Sequence, residues 1–177
     1  MKVPRLRRRP DPVRGAVAGL IGGLAGAWTM NKFQAFVTKA KANCAGTSGE
    51  SQNSEESDDA TVKAAAWLVN SITGIRLSKE QKKMAGPIVH YGFGAAMGAL
   101  YGTLAEHKRQ VNPAHGALFG TSLFVGADEI AVPSLRLSQA PTESPLSVHA
   151  TALGAHLVYG LTTEAVRRKV RRALLLV

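Results

Sequence analysis

The sequence is poor in cysteine and aromatic residues, with Cys44 as its one thiol and only 6% Phe, Trp and Tyr. A single cysteine excludes an internal disulfide and a cysteine-rich metal knuckle. The chain also lacks a Gly-x-Ser-x-Gly elbow, a His-Glu-x-x-His pair and a glycine-rich phosphate loop, so no catalytic activity is expected. Ser134, Ser138 and Ser147 lie near acids and His149, but serine is common in polar connections. Acids are scarce too: 12 Asp and Glu face 22 Lys and Arg, a net charge of +10. Such an excess raises nucleic-acid binding as a reading. Here, however, the basic residues gather at the chain ends beside apolar segments without interleaved aromatics, and nucleic acid is not expected as a partner. A length of 177 residues fits one domain.

What is present is glycine. Many of the 18 glycines are spaced, not scattered. Gly86 to Ala105 contains no charged side chain, about the length a helix needs to cross a bilayer. Within it Gly94, Gly98 and Gly102 recur every fourth residue, which strips one helical face of side chains and lets another helix approach closely. Gly15, Gly19, Gly22 and Gly26 repeat the signature before Trp28, and Gly116 and Gly120 do so further on. In water this glycine content would weaken a helix, whereas in lipid any non-helical alternative leaves backbone groups unpaired at greater cost. The fold expected is an all-α membrane protein of four transmembrane helices forming two hairpins, with spans at about 15–31, 86–105, 113–129 and 145–163.

The remaining segments fit around these spans. Residues 1–14 form a basic N-terminus, and 15–177 a single membrane domain. A basic start before an apolar run also describes a signal peptide, but the run reaches past the small residues Ala25, Gly26 and Ala27 into Trp28 and Met30. The polar insert 40–84 begins with a loop rich in serine and acid (43–60) and recovers helical periodicity through Val62, Ala65, Ala66, Leu68, Val69 and Ile72, which predicts an amphipathic surface helix. Ser78 and Gln81 fit a capping box before the second span. Pro133, Pro141 and Pro145 mark the third connection as non-helical. YGTLAE (101–106) and YGLTTE (159–164) end the second and fourth spans, a match that raises tandem duplication and that chance explains equally well. Lys and Arg concentrate at both termini and in the 107–112 turn, so both ends are expected in the cytoplasm.

With that topology His90, Asp128, Glu129 and His149 share one level near the outer face. His156, seven residues beyond His149, lies on the same helical face roughly 10 Å deeper. Ionisable groups in a span face the bundle interior and pair, and histidines beside carboxylates titrate in mild acid. These five are the proton-responsive candidates; the bland alternative is that they are hydrated interfacial groups. Two level histidines, His90 and His149, also fit haem iron, but nothing besides their level supports it, and neither cofactor nor metal is expected. At the opposite level Glu106 and Glu164 are expected to pair with Lys108, Arg109, Arg167 and Arg168.

GAVAGLIGGLAGAWTMNKFQ (15–34) and LSKEQKKMAGPIVHYGFGAAMGALYG (77–102) resemble the YagU-like family of small bacterial inner-membrane proteins, chiefly at the AGPIVHYGFG junction. The resemblance implies a multi-pass inner-membrane protein, and the family's named member is associated with tolerance of acid. No family residues carry a catalytic role to transfer. The expected function is therefore a non-enzymatic inner-membrane protein linked to acid or envelope stress through the His and carboxylate layer. Its partners would be the lipid bilayer and, through the glycine faces, another membrane protein or a second copy. A structural subunit of a larger complex and a small-solute or ion pathway are the alternatives.

Overall fold

Asp11 starts the first helix. Its carboxylate accepts the Arg14 backbone N–H at 3.0 Å, and Pro12 follows where its missing N–H costs nothing. A computed structural model describes residues 10–44, 79–107, 113–135 and 141–175. Among these, every regular element is helical: α1 (Pro12–Cys44), α2 (Lys79–Glu106), α3 (Pro113–Leu123) and α4 (Leu146–Ala173). The surface helix expected around 62–72, the capping box at Ser78 and the turn cations Lys108 and Arg109 lie outside the described residues.

α1 packs against both α2 and α4, and α3 packs against α4. Each of these pairs is antiparallel and closes through glycine. One row of α1, Gly15, Gly19 and Gly23, meets Gly102, Gly98 and Gly94 of α2. A Cβ at Gly98 would stand 2.7 Å from the Gly23 Cα, so backbone lies against backbone. A second row, Gly22 and Gly26, faces Thr163 and Tyr159 of α4, while Gly116 and Gly120 of α3 meet Gly160 and the His156 carbonyl. The glycines singled out in sequence all lie in these contacts. Gly23 and Gly160 complete them.

Large side chains are few inside. Ala27, Met30, Leu123, Ala155 and Tyr159 form the core, with Phe33, Tyr91, Met97 and Phe119 against it. The Tyr159 hydroxyl donates to the Gly94 carbonyl at 2.6 Å, joining α4 to α2. Val17, Leu20, Ile21, Leu24 and Trp28 of α1 point outward, as do Ile88, Phe93, Leu100 and Leu104 of α2. The molecule thus buries its smallest residues and several charged ones while exposing its apolar ones, the reverse of the usual arrangement in water.

Two expectations change. No helix among the described residues is long and apolar enough to cross a membrane, because glycine and alanine occupy the inward faces and dilute the apolar outward ones. The first helix, whose amphipathic pattern from Lys32 to Ala40 points to continuation beyond the span, runs unbroken to Cys44. Its extension is held on α4 by Phe33 against Gly154 and by Lys41 Nζ donating to Thr151 Oγ1 at 3.2 Å. The third helix does not stop at its acids: a π-helical segment, Phe124–Ala131, carries Asp128 and Glu129, and an α-helical turn, Val132–Ser134, follows. Pro133 is accommodated where the register changes, from the Val132 N–H bonded to the Ala127 carbonyl to the Leu135 N–H bonded to that of Ala131. A residue with no N–H is tolerated at such a step.

Candidate functional site

The π-helical segment is where α3 brings acids against the histidines of α4. Its wider register places two consecutive carboxylates toward the same neighbour, and isolated π turns of this kind recur at functional sites. His149 Nδ1 lies 2.7 Å from Glu129 Oε1, with both side chains about a quarter exposed. His156 Nδ1 lies 3.5 Å from Asp128 Oδ2 and 3.1 Å from the Ala152 carbonyl, which can only accept a hydrogen bond and so places the hydrogen on Nδ1. Because α3 and α4 are antiparallel, the residue earlier in α3 meets the residue later in α4. Two neighbouring acids thus reach imidazoles separated by roughly 10 Å along the helix. Phe124 covers the His156 ring at 5.9 Å between centroids.

His90 reaches the same place from α2. Its ring lies within electrostatic range of Asp128 and stands edge-on to Tyr91 at 5.5 Å. All five candidate residues therefore stand in one region formed by α2, the π-helical segment and α4. No group of three or more His, Cys, Asp or Glu side chains among the described residues could hold a metal ion. A neutral imidazole can offer one hydrogen bond to a carboxylate, and a protonated one an ion pair.

The other end of the bundle is built differently. Glu164, 2% exposed, accepts from Arg167 Nε at 2.7 Å and Nη2 at 3.0 Å, and it also accepts from Arg168 Nε. Burial pushes its carboxyl upward, but the two guanidinium groups outweigh that and hold it below the ordinary glutamate range. Arg167 also lies 5.9 Å over the Tyr101 ring, which stacks on Phe119 at 4.3 Å. Glu106 pairs with Arg171 through Nε at 2.7 Å and Nη2 at 2.8 Å, and these bonds lower its carboxyl and raise the Arg171 guanidinium. The expected pairing of Glu164 with Arg167 and Arg168 is present. Glu106 instead finds its partner 65 residues away, on α4, because the antiparallel packing of the helices brings that face to it.

Residues 68–165 match the model of a family described as a protein of unknown function, DUF1440. The chain belongs to the DUF1440 family. The YagU-like resemblance agrees with that membership. The matched DUF1440 region contains all five His and acid candidates and the glycine faces of α2 to α4, while α1 lies before it. No curated protein and no solved structure matches the chain.

Proposed function

We propose that this DUF1440 chain is a lipid-embedded, non-enzymatic helical protein whose His–carboxylate contacts respond to acid. One observation carries the reading: the two imidazoles of α4 meet the two consecutive carboxylates of the π-helical segment. Histidine changes charge between pH 5 and 8. A positive charge on these imidazoles would make both contacts ion pairs and draw α3 onto α4. The inside-out distribution of side chains supports a lipid environment, since an average over all faces understates what lipid would meet.

Two measurements test the reading. The protein should remain in the membrane fraction after alkaline carbonate extraction; release into the soluble fraction overturns the lipid placement. Cells carrying His149→Gln with His156→Gln should lose survival in mild acid at unchanged protein level, and unaltered survival would sink the acid response. A second reading, a subunit that docks on another membrane protein, is favoured by Gly92 and Gly126, which face nothing within 4 Å on the outside of the helices. A stable partner retained through mild-detergent purification would support it.

A further inference from the structure

The basic end holds more guanidinium than its acids neutralise. Glu164 is the acid bonded to both Arg167 and Arg168, so one of those two positive charges has no counter-ion of its own. Arg171 is matched by Glu106. Arg168 and Arg171 stand one helical turn apart on the same face of α4. Each fixes a carboxylate through part of its guanidinium, yet Arg168 Nη2 and Arg171 Nη1 are buried without a hydrogen-bond partner among the described residues. Buried N–H groups on a charged side chain are costly to leave unpaired. Glu106 and Glu164 bond to other N–H groups of these two side chains and not to these two nitrogens. Paired arginines match an anion with several acceptor oxygens, as a phosphate group presents.

We infer that Arg168 and Arg171 form a phosphate-oxyanion site at the basic end of the bundle. An acidic phospholipid headgroup and free inorganic phosphate share this chemistry. The headgroup as the source rests on the lipid placement proposed above, which would set this end at the bilayer surface. Entry of the anion requires Arg168 Nη2 and Arg171 Nη1 to turn toward it while the bonded N–H groups stay on Glu164 and Glu106. Lys169 and Arg172, the neighbouring basic residues of α4, are exposed and add only general attraction.

The test uses the full chain in a neutral detergent, reading its thermal unfolding midpoint against dioctanoyl phosphatidylglycerol, dioctanoyl phosphatidylcholine and inorganic phosphate. Phosphatidylglycerol should raise the midpoint saturably and phosphatidylcholine should not. Arg168→Lys and Arg171→Lys keep a charge beside each glutamate but lose the guanidinium fork, and each should raise the half-saturating concentration at least tenfold. Arg172→Lys should leave it unchanged. Saturation by inorganic phosphate with the same arginine dependence supports the site and assigns the free anion as its source. Equal responses to the two lipids without a response to phosphate, or lysine variants that respond as wild type does, overturn it. Flotation with phosphatidylcholine vesicles reads the lipid placement separately, so a chain that floats but shows no arginine-dependent response disproves the site alone.

Discussion

The two ends of the helical bundle pair their carboxylates with different bases. At the basic end Glu106 and Glu164 are bonded to arginine, whose charge does not vary in any accessible pH range. At the other end Asp128 and Glu129 meet histidine, whose charge does. The first end can act as a constant clamp among α1, α2 and α4, extended by the Asp11 N–H on Glu106 at 3.3 Å and by Arg14 Nη1 donating to the Leu174 carbonyl at 3.0 Å. The second is conditional. Its acids also sit on a π-helical segment, whose looser register permits shifts that an α-helix resists.

Several perturbations would break or sharpen this contrast. Glu164→Ala should be the most damaging, because it leaves Arg167, 5% exposed, without a counter-ion. A loss of about 3–5 kcal/mol in denaturant unfolding is expected; a neutral result would show that water reaches this end freely. Between the two ends, Gly98→Ala should cost about 1–3 kcal/mol by forcing α1 from α2. Gly92→Ala on the same helix meets nothing and should gain up to about 1 kcal/mol from helix propensity. If both substitutions behave alike, the glycine contacts do not set the packing.

The clamp has its own pH signature. Glu106 and Glu164 are both held below the ordinary glutamate range in the folded state. Their contribution is therefore complete above that range and is lost as pH falls through the lowered folded values. Unfolding followed across acidic pH should show this loss, and Arg171→Gln should remove the Glu106 share of it; an unchanged profile in that variant would deny the pairing. The smallest effect belongs to the conditional end. His149→Gln should cost about 1 kcal/mol, read as faster amide exchange in Phe124–Ala131, and should flatten the dependence of that exchange on mild acid.

Helical periodicity and the four-residue recurrence of glycine were sufficient to place three of the small-residue faces, because both are properties of one helix viewed alone. The level shared by His90, Asp128, Glu129 and His149 followed from counting residues along alternating helices. The assignment of faces to partners could not be read in that way. α1 has two glycine rows, Gly15/Gly19/Gly23 and Gly22/Gly26, and nothing local says which meets α2 and which meets α4. The four-residue step from Gly19 to Gly23 was nevertheless present as a signal, as was the Gly160 beside Tyr159.

What the sequence determined by itself was therefore the set of helices and their small or titratable faces, since these depend on spacings of three, four and seven residues. Tertiary packing alone decided that Glu106 pairs with Arg171, that the third helix runs through its acids in a π register, and that Asp128 takes His156 while Glu129 takes His149. Each of these depends on the relative height of two packed helices. That height is set by where their backbones can touch, and it leaves no mark on either segment read separately.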